Sequence, residues 1–378
     1  LDDPLAAVAA SLVDPHEYPS LHEATVPGDK VVIALNHGVP QPEAVVGAIV
    51  QTLVEGAVVP RDVRVLLPHG THLGEVIKSR MPVAAAAEVR VDIHDPTRSD
   101  QLAYLAASTE GLPIMINRRI CDADMVIPVG CLRSERAWGV SNGTFGVYPT
   151  FADEATARRF QSPGEWRSKK AGESAYRDIA EVTWLLGLQF TVQLIPASGD
   201  QLLQVLSGAI EPVSQLGREM AKRAWEFVVD RRADVVVAGL PGGHDQQTWE
   251  NIARALFAAS RIVRDDGAIA ICCDLQEHPG PAMRHLLGCE DLDEARLELS
   301  SSTQYDARWA DLVANTLQSV RVYLLSRLAP EIVEEMGMAP ITDPHHVSNL
   351  CRRARHCLLL ENSQHAIPLL HEHVASAK

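Results

Sequence analysis

The feature that most constrains this chain is a repeated unit: a short apolar run, a polar or glycine-bearing loop, then a segment with helical spacing. Val31–Leu35 runs into Asn36-His37-Gly38-Val39-Pro40, and Pro42–Leu53 follows with Val45, Ala48, Ile49 and Leu53 on one face and Gly56 at its end. Asp62–Leu67 ends in Pro68-His69-Gly70-Thr71-His72, and Val89–Ile93 ends in His94-Asp95-Pro96. A further helix and strand pair then leads to Asp124–Val129. Such alternation predicts an α/β fold with mostly parallel sheets flanked by helices, because parallel strands need crossover connections. In these sheets the loops after the strands gather along one edge, where ligands bind.

The loop Gly130–Phe151 is the densest in polar and glycine residues, and a helical segment at Ala152–Phe160 follows it. It carries Arg133, Glu135, Arg136, Trp138 and the turn Ser141-Asn142-Gly143-Thr144. Its glycines spell neither GxGxxG nor GxxxxGK[ST], so no nucleotide fingerprint is present. It reads either as a ligand loop or as a long surface connection.

The pattern continues past the middle of the chain. Gln189–Ile195 and Leu202–Leu206 flank Ser198-Gly199-Asp200, a hairpin signal, and Pro212–Val229 reads as one long helix. A second set of units begins at Ala233, with strands at 234–238, 268–273, 320–325 and 357–360 and a helix at 248–262. At 378 residues the chain exceeds one ordinary hydrophobic core, which predicts two domains, 1–229 and 230–378, hinged near Asp230–Arg232 with a cleft between them. Gly242-Gly243 before the 248–262 helix offers either a tight turn or backbone N–H groups to an anion.

Charge narrows the partners. With 34 basic and 49 acidic residues the net charge is −15, which disfavours nucleic acid and anionic membrane as partners. No run of about 18 apolar residues occurs. The acidic start LDDPLAAVAASLVDP lacks the basic region of a signal peptide, so a cytoplasmic protein is expected. Seven cysteines without CxxC pairs predict reduced thiols, and the fifteen histidines show no zinc spacing.

Along nearly its whole length the chain resembles the nickel-dependent lactate racemase family. The resemblance runs through Val26–Val31, Val31–Pro42, Gly70-Thr71-His72, His94-Asp95, Gly111–Ile114, Ala123–Gly130, Leu188–Leu194, Gly242–Gln246 and Val322–Ser326. It implies two α/β domains and an isomerase (racemase or epimerase) of a small 2-hydroxy carboxylate, which uses a lysine-tethered nickel pincer nucleotide and two acid/base histidines. The first histidine matches His72, while the second falls on Glu135. The tethering lysine falls on Phe145, the nickel-binding histidine on Gln161, and the family's Asp-x-Thr-Arg-Pro loop appears as Asn36–Pro40.

The resemblance therefore implies His72 and Glu135 as a proton-transfer pair, with His72 facing the cleft. Arg133, Arg136, Trp138, Ser141, Asn142, Gly143, Gly243, His244 and Gln246 become the expected substrate contacts, for a small carboxylate or phosphate ligand. No metal ligand and no tethered pincer are expected, since phenylalanine has no amine and glutamine is a weak nickel donor. The other expectation is a non-catalytic small-anion or nucleotide binding protein, with a regulatory role, that kept the cleft.

Overall fold

A short turn launches the first strand: the Val26 N–H donates to Asp29 Oδ2 at 2.8 Å, and the chain then enters strand β1 at Val31–Leu35, every residue of it buried. In the computed structural model, which describes residues 1–71, 73–109, 111–133, 146–163, 169–302 and 304–371, the strands fall into two main sheets. The first half contributes β1, β2 (Val63–Leu67), β3 (Arg90–Ile93), β4 (Leu102–Ala107), β5 (Pro113–Asn117), β6 (Met125–Cys131), β7 (Phe190–Pro196) and β8 (Leu202–Ala209). The second contributes β9 (Glu226–Val229), β10 (Ala233–Gly239), β11 (Val263–Cys272), β12 (Arg321–Leu325), β13 (Ala339–Ile341), β14 (Cys357–Leu360) and β15 (Ile367–Leu370).

The first sheet is six-stranded, in the order β3-β2-β1-β6-β7-β8, parallel except for the antiparallel β7–β8 edge. The second is five-stranded and parallel, in the order β13-β12-β11-β10-β14. Parallel pairing buries both faces, which is why β1 reads as an unbroken apolar run and β2 as one interrupted only by Arg64. Helix Pro42–Glu55 starts with proline in its first turn and ends where the Gly56 N–H bonds Thr52 O; Val45, Ile49 and Leu53 are fully buried against the first sheet. Helix Trp249–Ser260 is capped by Thr248, whose hydroxyl accepts from the Asn251 N–H at 3.2 Å, and it buries Ile252, Leu256 and Ala259 in the second core. Among the described residues no helix is long and apolar enough to cross a membrane.

Two expectations are corrected. The segment read as a helix and strand before Asp124 is an antiparallel hairpin, β4 with β5, followed by the short helix Arg118–Cys121. The long helix expected over Pro212–Val229 spans Ile210–Trp225, and Glu226–Val229 turns into β9. The reason is a partner remote in sequence: β9 pairs in parallel with β15, so β-branched Val228 and Val229 gain a ladder that a helix would deny them. This ladder ties the end of the first half to the last strand of the second.

The tip of the β7–β8 hairpin meets the second half directly. Gly199 N–H donates to Asn362 Oδ1 at 3.2 Å, and Asp200 Oδ2 accepts from the Gly243 N–H at 2.7 Å. Gln41, just after β1, adds a bond from Nε2 to Asp200 O at 3.1 Å. Loops after the strands of both sheets are thereby brought into contact.

Candidate functional site

Arg133 is the clearest product of this arrangement. It follows β6, and its Nη2 donates to Gly38 O at 2.7 Å in the loop after β1. Gly38 has φ +65° and a Cβ there would lie 2.5 Å from Arg133 Nη2, so glycine is what lets the guanidinium approach. From the other half, helix Trp249–Ser260 presents Glu250, whose Oε1 stands 3.6 Å from Arg133 Nη1. The same oxygen accepts from Arg254 Nε at 3.1 Å and Nη2 at 2.8 Å, one helical turn on. Arg254 and Arg308 both lie over the Trp309 ring, at 5.5 and 5.8 Å. Three arginines and one carboxylate from both halves thus converge.

The electrostatics follow from that crowding. Burial alone would raise the Glu250 pKa, but Arg254 and Arg133 outweigh it and hold the carboxyl below its ordinary range. Burial, then repulsion by Arg254, brings Arg308 down to about 9, which still leaves it charged at neutral pH. Burial lowers Arg254, with Glu250 opposing. Burial pushes the Cys131 thiol, at the end of β6, up to about 11, so it stays protonated. His37, in the loop after β1, has its pKa lowered by desolvation and raised again by Glu250, although its side chain keeps solvent contact.

The expected site residues are placed unevenly. His72, Glu135, Arg136, Trp138, Ser141, Asn142, Gly143 and Phe145 lie outside the described residues. Arg133 lies in the cluster. Gly243 is near the hairpin tip, and its N–H is taken by Asp200, so of the two readings for Gly242-Gly243 the geometry shows a tied turn. Gly242 has φ +116° and a Cβ there would meet Gln246 Cγ at 2.6 Å, which fixes that turn as glycine. His244 is exposed, with its Nδ1 3.8 Å from Asp245 Oδ1. Gln246 is buried, and its backbone carbonyl accepts from Asn251 Nδ2 at 2.8 Å, a structural use. Gln161 ends helix Glu154–Gln161, half-buried.

His94 is a structural histidine. Its Nε2–H donates to Ala152 O at 2.8 Å, its Nδ1 accepts from Asn117 Nδ2 at 3.0 Å, and burial lowers its pKa, so it is a neutral brace. Glu250, Arg254, Arg308 and His365 were not singled out from the sequence. Glu250 and Arg254 form an i,i+4 pair of the kind common on solvated helix faces, and only the fold sets it against Arg133.

The fold defines an α/β protein with two mostly parallel sheets whose ligand-edge loops meet. Residues 1–162 match the family described as the lactate racemase N-terminal domain. The lactate racemase of Lactiplantibacillus plantarum is 21% identical over 326 residues, 82% of this chain and 76% of that one. That of Thermoanaerobacterium thermosaccharolyticum is 20% identical over 331 residues, 83% and 77% of the two chains. The lactate racemase apoprotein of the latter organism superimposes with a TM-score of 0.81 at 18% identity, covering 97% of this chain and 92% of that one. A protein from Thermotoga maritima gives a TM-score of 0.70 at 15% identity, with 97% of both chains covered. Residues 1–162 thus match a lactate racemase N-terminal domain, and the chain over most of its length is similar in sequence and fold to lactate racemases.

Proposed function

We propose that the chain binds a small 2-hydroxy carboxylate between its two halves, as a divergent lactate-racemase-like isomerase without the tethered nickel pincer. The convergence of Arg133, Arg254 and Arg308 around Glu250 carries this reading, because guanidinium groups are the natural forks for a carboxylate. In this proposal Arg133 or Arg136 holds the carboxylate, and His72 and Glu135 exchange the proton. Arginines flanking Glu135 in sequence favour its ionised form, which weakens it as a base.

The family's pincer does not fit the residues this chain offers. Phe145 stands at the tether position, and Gln161 at the nickel-ligand position supplies only an amide. Among the described residues no group of three His, Cys, Asp or Glu side chains could hold a metal ion. Protein co-expressed with a cofactor-making pathway is expected to show its unmodified mass by intact mass spectrometry, with nickel well below one equivalent. A lysine adduct with stoichiometric nickel would falsify this.

The misfit is also what favours the second reading, a non-catalytic small-anion or nucleotide binding protein with a regulatory role. One experiment separates the two. Purified protein is incubated with single enantiomers of lactate and other 2-hydroxy acids, and the products are resolved on a chiral column while binding is measured by calorimetry. Binding with racemisation supports the isomerase, and binding without it supports the second reading. No binding of any small carboxylate sinks the first reading, and no binding of phosphate or nucleotides besides sinks the second.

A further inference from the structure

We infer that His365 is a positioning residue that hydrogen-bonds the hydroxyl group of the bound 2-hydroxy acid, an assignment that rests on the ligand reading above. Its side chain is 3% exposed, yet neither ring nitrogen has a hydrogen-bond partner among the described residues. Buried polar groups are almost always bonded, and the other buried imidazole, His94, has both nitrogens engaged. The contrast marks His365 as a group whose partner comes from elsewhere.

Its place in the fold says where. His365 sits in the turn after β14, where its N–H donates to Asn362 O, and Asn362 Oδ1 receives the Gly199 N–H from the hairpin tip. The ring packs on Trp225, with centroids 5.2 Å apart and the planes tilted by 43°. Arg133 and Arg254 are close enough to act on it electrostatically from both halves. The imidazole therefore lies in the turn that meets the hairpin tip, where loops of the two sheets touch. Gln364, next in the turn and also buried, has both amide atoms without partners among the described residues, which extends the polar lining.

The ligand class follows from complementarity. Burial first, then Arg133 and Arg254, keeps the ring neutral at pH 7, so it offers one N–H donor and one acceptor nitrogen. A carboxylate accepts only and is better served by the guanidinium groups. A hydroxyl both donates and accepts, and matches a neutral imidazole. An acid with a hydroxyl next to its carboxylate satisfies arginines and histidine together.

The test compares lactate with propionate, the same acid lacking the hydroxyl, by calorimetric titration of the full chain. Wild type is expected to bind lactate roughly tenfold more tightly than propionate, since a buried polar group left unmatched penalises the analogue. His365→Leu is expected to reduce that ratio to about twofold or less while changing propionate affinity by no more than about threefold. His365→Asn, which keeps a donor and an acceptor, should restore part of it. Ring NMR signals of histidine-labelled wild type add a readout that needs no variant: the His365 signals should move with lactate and stay with propionate. Equal binding of the two acids by wild type, or a ratio that survives His365→Leu, overturns the role of His365 and leaves the site standing. Failure of wild type to bind any carboxylate removes the site and this role together.

Discussion

Gly208→Ala is expected to cost about 3 kcal/mol or more of folding stability, the largest single loss foreseen for a change of one methyl group. Gly208 lies in β8 with φ +137°, and a Cβ there would stand 2.2 Å from His16 O and 2.5 Å from His16 N. Those atoms belong to the backbone and cannot swing away. His16 N–H donates to Ser207 O at 2.8 Å, and its carbonyl accepts from the Ala209 N–H at 2.9 Å, so the segment after the first helix pairs with the edge strand. Ser207 Oγ adds a bond to Ser11 O at 2.6 Å. Helix Pro4–Val13 rests on this join, with Val8 and Leu12 fully buried. Alanine must strain its backbone or break both His16 bonds, uncovering an edge strand. Urea denaturation measures the loss, and a change below about 1 kcal/mol would show that the amino-terminal segment yields freely.

Elements with local signals were legible, and elements made by distant partners were not. β1, β2 and helix Pro42–Glu55 announce themselves because a buried parallel strand is a mostly apolar run, broken in β2 only by Arg64, and a proline opens the helix. β9 does not, because Glu226–Val229 continues a helical pattern and becomes a strand only when β15 arrives beside it. The site divides in the same way. Arg133 stood out in a loop after a strand, where ligand residues gather. His365 is one histidine in a polar run, and its burial against Trp225 depends on three segments far apart in sequence. Spacing within a sequence reports neighbours on one element. It carries no signal for a carboxylate on one half that neutralises an arginine on the other.

That carboxylate gives the second large effect. Glu250→Gln is expected to lower stability by about 2 kcal/mol at pH 7 while tightening the binding of a small carboxylate by about fivefold to tenfold. Glu250, Arg254 and Arg133 have side chains 32, 13 and 11% exposed, so the pair is partly desolvated, and breaking it costs less than breaking a fully buried pair. Losing the negative charge leaves Arg254 and Arg133 repelling each other, since the Arg133 charge already weakens the hold of Arg254 on its proton and both groups stand at the same Glu250 oxygen. The same two guanidinium groups then meet an incoming carboxylate without competition from the Glu250 charge. The pH dependence has a definite sign. The Glu250 pKa is held below its ordinary value in the folded protein, so its stabilisation is present above the unfolded carboxyl pKa and is lost as pH falls through the folded one. Wild type and Glu250→Gln should therefore differ most near neutrality and converge in acid, where a protonated glutamic acid and a glutamine carry the same charge. Urea midpoints across that pH range, beside calorimetric titration with lactate, measure both halves of the trade. A variant as stable as wild type that binds lactate more weakly would mean that Glu250 holds the ligand rather than standing in its place.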